Sequence, residues 1–169
     1  MYIFIENRLV VIGGYQGSSY GTSGTEIINE EKQLTCNIPS FPYSVYQHSA
    51  TIIPTGVLVC GGISSSWSYY KKCYQYKQST SSWESFPSMT TERYSFDMKY
   101  LNQGIWAVGG QGGSTSYYTM DYFNMTSNLW TRRALPVYVY EHCLTQISEY
   151  QLILLGGYTS GYGPSVSET

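Results

Sequence analysis

The chain alternates short apolar runs with stretches of Ser, Gly and Tyr, and four of the runs end alike. Leu9-Val10-Val11-Ile12, Val57-Leu58-Val59-Cys60, Ile105-Trp106-Ala107-Val108 and Leu152-Ile153-Leu154-Leu155 are each followed by a glycine pair. The pairs are Gly13-Gly14, Gly61-Gly62, Gly109-Gly110 and Gly156-Gly157, so their first glycines stand 48, 48 and 47 residues apart. One such pair is noise, but four at constant spacing after equivalent runs are a repeat. Other markers keep the same period. Trp83 and Trp130 follow their glycine pairs by 22 and 21 residues, and an aromatic (Tyr76, Phe123) stands seven residues before each. A proline-bearing segment comes next, and His48 and His142 precede their glycine pairs by 13 and 14 residues.

These intervals predict four short strands per unit. The first covers residues 48–53, 95–101 and 143–147, and the second is the apolar run. The third holds the aromatic (72–76, 118–123), and the fourth starts near Trp83 or Trp130. A four-stranded repeat of this length is the pattern of a propeller blade, so the expected class is all-β with helix absent. Each glycine pair should follow the second strand directly, where the backbone takes conformations closed to larger residues. The tryptophans suit packing between blade faces.

The unit resembles the kelch repeat: an apolar strand, a glycine pair, a variable loop, an aromatic late in strand three and a tryptophan seven residues on. The resemblance covers nearly the whole chain. Its departures are the arginine common before strand one, which survives only as Arg93, and a first unit with Asn29 and Cys36 in place of the aromatic and the tryptophan. The resemblance implies a kelch-type β-propeller fragment with blades over about 1–40, 41–88 and 89–135 and a half blade over 136–169. That is about three and a half of the six blades with which such propellers close, leaving an open blade face at each end. It also implies a binding module rather than an enzyme, with a protein as the first-choice partner.

Composition narrows the functional classes. Only 12% of residues are charged, the net charge is −2, and the longest basic runs are the pairs Lys71-Lys72 and Arg132-Arg133. Nucleic-acid binding has no electrostatic footprint here. The repeat's apolar runs are four residues long, far short of a membrane-spanning helix. No phosphate loop is present, since Gln111-Gly112-Gly113 lacks the lysine such a loop needs. His142-Cys143 is the one local Cys-His pairing, and neighbours on a strand point to opposite faces. His48 and His142 are equivalent by repeat, which points to packing rather than to a metal site. A remnant of a galactose-oxidase-like copper enzyme, built on similar blades, is the enzymatic alternative, but no spacing of Tyr and His ligands supports it. No catalytic residue, metal or cofactor is assigned.

The loops after the glycine pairs carry the functional signal. They contain Tyr15, Tyr20, Trp67, Tyr69, Tyr70, Tyr117, Tyr118 and Tyr158 among Ser and Gly, with almost no charge. This is binding-loop composition: Tyr offers amphipathic contact at low entropy cost, and Ser and Gly adapt. In an up-and-down blade the connections to the next blade emerge at the same end, adding Tyr94, Tyr138 and Tyr140, beside Tyr43 and Tyr46. The expected site is a tyrosine-rich rim that holds a protein, with a carbohydrate as the alternative ligand.

The cysteines bear on compartment. Cys60 closes one strand and Cys73 opens the next, so a hairpin brings them side by side for a disulfide; four buried free thiols are the alternative. Cys143 is expected free in the core, and Cys36 is left for a partner elsewhere. The sequon Asn124-Met125-Thr126 is a glycosylation candidate. Together these favour an extracellular over a cytoplasmic setting.

Overall fold

Period-two alternation builds strands throughout. The structure, a computed structural model, describes residues 2–5, 8–17, 19–28, 34–35, 38–112 and 118–159. Among the described residues there is no helix. The first sheet orders β1 (Tyr2–Ile5), β2 (Arg8–Gln16), β3 (Ser19–Ile28) and β4 (Leu34–Thr35) side by side. The second holds β5 (Ser49–Ile53), β6 (Gly56–Cys60), β7 (Cys73–Lys77) and β8 (Ser82–Phe86). The third holds β9 (Asp97–Leu101), β10 (Gly104–Val108), β11 (Thr119–Asn124) and β12 (Leu129–Ala134). β13 (Cys143–Ser148) and β14 (Gln151–Leu155) form a two-stranded sheet. Every pairing is antiparallel and joins neighbours in sequence, as in propeller blades. The protein is a partial propeller, and its first strands approach one another across successive blades.

Two apolar cores lie between blades. Val10, Ile12 and Ile27 meet Val45, Val57 and Val59 between the first and second. Leu58, Cys60 and Cys73 meet Met98, Ile105, Ala107 and Phe123 between the second and third. The tryptophans close the outer ends of these cores. Trp83 packs edge-on to Phe41 (5.0 Å) and its ring N–H donates to the Pro39 carbonyl at 2.8 Å. Trp130 packs on Phe123 (5.1 Å) and donates to the Pro87 carbonyl at 2.8 Å. Each indole thus fixes the chain segment that enters its own blade.

The glycine pairs work as sockets for the next blade. One ring position, filled by His48, Phe96 and His142, lies over Gly13, Gly61 and Gly109 of the blade before it. A Cβ on Gly61 would stand 2.7 Å from the Phe96 ring, and one on Gly109 would stand 2.9 Å from the His142 ring. The second glycines Gly14, Gly62 and Gly110 donate N–H bonds to the carbonyls of Val45, Arg93 and Val139, at 2.8, 2.7 and 2.8 Å. Gln47, Ser95 and Glu141, one residue before each ring, all have φ between 52 and 54°. Their N–H and C=O groups join in series, Ser95 donating to Gln47 and Glu141 to Ser95, both at 2.9 Å. Asp97 ties the inner strands further: its carboxylate accepts from Ser49 Oγ (3.0 Å) in the second blade and from the Leu144 N–H (2.7 Å) in β13.

Two details depart from the expectation. Gly13-Gly14 lies inside β2 rather than after it, because the β2–β3 hairpin runs on through two irregularities to pair Gln16 with Ser19. The other three pairs follow their second strands directly. Cys143 is free but exposed, not in the core. It alternates with buried Leu144, whose face packs inward, while the Cys143 face carries exposed Ile147 and Leu155. Cys36 lies outside the described residues. Cys60 and Cys73 are directly opposite in the β6–β7 ladder and form a disulfide, with Cα atoms 4.1 Å apart.

Candidate functional site: an aromatic arc at one end of the blades

Strand order decides which loops share an end. The connections β6–β7 and β10–β11 and the segments leading into β5, β9 and β13 leave from one end, and the hairpins β5–β6, β7–β8 and β11–β12 from the other. At the first end short β-bridges sew each loop to a lead segment: Tyr46 to Ile63, Tyr94 to Gln111 and Tyr140 to Tyr158. The same bridges align the aromatics. Tyr15 meets Tyr46 edge-on (6.0 Å), Tyr69 stacks on Tyr94 (5.1 Å, 14°) and Tyr140 stacks on Tyr158 (5.5 Å, 26°). Tyr138 links Tyr118 (5.9 Å) to Tyr140 (5.6 Å). The Tyr94 hydroxyl donates to Gln111 Oε1 at 2.6 Å, which fixes the ring under Tyr69.

The loop after Gly62 is closed by hydrogen bonds among its own serines. Ser64 Oγ accepts from the N–H groups of Ser66 (3.2 Å) and Ser68 (3.1 Å), and its own N–H donates to the Ser68 carbonyl at 3.0 Å. The Ser66 hydroxyl bonds those of Ser64 (2.9 Å) and Ser68 (3.3 Å). The serines therefore tie the turn to itself and hold Trp67 at its tip with φ +59°. A bulky residue in that region is an outlier that the surroundings must sustain. Here it leaves the indole 63% exposed, beside Tyr69 at 37%.

The expected rim residues divide by burial. Tyr15, Trp67, Tyr69, Tyr118 and Tyr158 are exposed. Tyr94 and Tyr140 are half-buried supports, and Tyr138 is buried. Tyr70 turns between blades one and two, against Tyr43 at 4.6 Å, and belongs to packing. Burial raises the Tyr43 phenol well above its usual range, so it stays neutral. Tyr117 lies outside the described residues, and of Tyr20 only the backbone, in β3, is described.

Two charged features accompany the arc, and of their residues the repeat pattern marks only Arg93. Arg93 and Asp121, both fully buried, form an ion pair at 3.5 Å behind the arc. Arg93 also donates to the carbonyls of Gly109 (2.7 Å) and Thr119 (2.8 Å), and Asp121 accepts from the backbone and hydroxyls of Thr90 and Thr91. A charged residue at an inward strand position in so uncharged a chain is the signal that marks Asp121. On the outer face of blade three, the Arg133 guanidinium lies over Tyr122 (4.6 Å) and Trp106 (5.3 Å). A cleft of about 540 Å³ at the opposite end, lined by Val10, Ile27, Ile53 and Tyr76 among others, contains no charged residue and none of the expected binding residues.

The histidines are packing groups. Among the described residues no three His, Cys, Asp or Glu side chains gather at one point. Among the described residues neither ring nitrogen of His142 has a hydrogen-bond partner, and the His48 ring lies against the Ile12 backbone. Burial drops His48 to about 3, and burial also lowers His142 against the opposing pull of Asp97. His48 is neutral when folded and titrates near 6.5 when unfolded. Its contribution to stability is therefore complete above pH 6.5 and is lost as pH falls from there towards 3. Phe96 shows that the site accepts a phenyl ring. His48→Phe is expected to remove about 2 kcal/mol of the stability loss between pH 6.5 and 5, at about 1.4 kcal/mol per unit. Urea titrations of both proteins across that range measure the difference.

The kelch motif matches residues 44–90, the second of the four-stranded sheets. The second blade is a kelch unit. Two similar curated proteins are both named kelch repeat and BTB domain-containing protein 2, from cowpox virus strains Brighton Red and GRI-90 (Grishak). Each is 20% identical over 123 residues, covering 72% of this chain and 22% of its own length. The chain thus spans about a fifth of the length of these relatives.

Proposed function

We propose that the aromatic arc is a protein-binding surface, with Trp67 and Tyr69 as its anchors. The observation that carries this reading is the Ser64–Ser68 turn, which holds an exposed indole in a strained conformation by hydrogen bonds of its own. Such pre-organisation lowers the entropy cost of binding, and Trp and Tyr dominate interface energies. Tyr15, Tyr118 and Tyr158 extend the surface over neighbouring blades, and Tyr94 and Tyr140 brace it.

The test begins with affinity capture from extracts and titration of each captured protein against variants. Trp67→Ala and Tyr69→Ala are each expected to weaken binding by about 1–3 kcal/mol, roughly 5–150-fold. Their thermal unfolding should stay close to that of the parent. A partner that binds both variants as tightly as the parent refutes the assignment. A glycan array run in parallel tests the carbohydrate reading, since the same rings can stack on sugar faces; saturable array binding lost in Trp67→Ala would replace the protein partner with a saccharide.

A further inference from the structure

We propose that Asn124 is a glycan acceptor, and that the chain carries an N-linked oligosaccharide at the end opposite the aromatic arc. Two independent observations meet here. The Cys60–Cys73 disulfide joins adjacent strands of the second blade, and such bonds persist in oxidising compartments, where this modification takes place. Asn124-Met125-Thr126 is the single Asn-X-Ser/Thr sequon in the sequence, and it falls on a hairpin turn rather than in a blade interior.

The geometry of that turn suits transfer. Asn124 ends β11, and its Oδ1 accepts the N–H groups of Thr126 (2.8 Å) and Ser127 (3.1 Å). With the oxygen held to the turn, the planar amide directs Nδ2 away from it, and among the described residues no hydrogen bond engages Nδ2. Thr126, Ser127, Asn128 and Leu129 are all exposed, so the approach is open. The β11–β12 hairpin lies at the far end of the strands from Trp67 and Tyr69, and a glycan here leaves the proposed binding surface clear. In the transfer, Nδ2 bonds to the anomeric carbon of a lipid-diphosphate-linked oligosaccharide. The bond from that carbon to the diphosphate oxygen breaks, its electron pair leaves with the diphosphate, and Nδ2 gives up one proton to a base.

The test is secretion of the full chain from a eukaryotic host behind a heterologous leader, followed by intact mass measurement before and after peptide N-glycosidase. The parent is expected to carry one oligosaccharide, and its release should leave aspartate at position 124. Asn124→Gln and Thr126→Val should both emerge unmodified. The second variant keeps the turn, because Thr126 supplies only its backbone N–H there. A secreted parent with no sugar, or with a sugar that survives in Thr126→Val, overturns the proposal. So does a secreted chain whose Cys60 and Cys73 react with an alkylating agent without reductant, since the compartment argument then fails.

Discussion

Replacing Asp121 with alanine is expected to destabilise the fold by about 3–5 kcal/mol, the cost of stranding a buried charge. The carboxylate is fully buried and serves two sides at once. Towards the next turn of chain it accepts the N–H groups of Thr90 (3.0 Å) and Thr91 (3.2 Å) and both hydroxyls, at 2.6 and 3.0 Å. Towards the glycine pair it neutralises Arg93, whose pKa burial lowers against the opposing pull of Asp121. Without Asp121 the guanidinium keeps its bonds to Gly109 and Thr119 but has no counter-charge. Adding Arg93→Met to Asp121→Ala should therefore cost less than the sum of the single changes. Urea denaturation of the parent, the singles and the double measures that coupling; strictly additive values would show that the pair is not a unit.

Gly61→Ala should cost about 2–5 kcal/mol, combining a left-handed backbone penalty of about 1–2 with an overpacking penalty of about 1–3. The new Cβ would stand 2.5 Å from the Arg93 carbonyl and 2.7 Å from the Phe96 ring, with φ at +70°. Gly156 supplies the internal control. Its φ is +64°, but among the described residues nothing lies within 4 Å of where its Cβ would stand, so Gly156→Ala should pay the backbone penalty alone. Equal losses of stability in the two variants would show that the neighbouring blade does not exclude a side chain at this position.

The repeat made most of the architecture legible. Glycine pairs at constant spacing and strand-length apolar runs point to blades whatever the rest of the chain does, and the facing positions of Cys60 and Cys73 follow from the hairpin between them. The site was legible only in composition. A loop rich in Tyr and Ser shows where contact chemistry gathers, but not which rings point out. Tyr69 and Tyr70 are adjacent, yet one is exposed on Tyr94 and the other is packed on Tyr43. That division is set by inter-blade packing, a long-range property with no local signal. Asp121 was hidden for a similar reason: its partners lie 28 to 31 positions earlier in the chain, on a segment with no strand of its own.

The rings at 48, 96 and 142 have a direction, since each lies over the glycine of the blade that precedes it in sequence. A blade emerging from the ribosome therefore has its strands before it has its latch. The latch arrives when the lead segment of the following blade is made, about ten residues after the last strand, and the Gly62 and Gly110 N–H groups find their acceptors at the same moment. In a nearest-neighbour architecture such a contact makes each unit's stability conditional on its successor. Co-translational folding should accordingly advance in steps that lag synthesis, with the newest blade always the least protected from proteases.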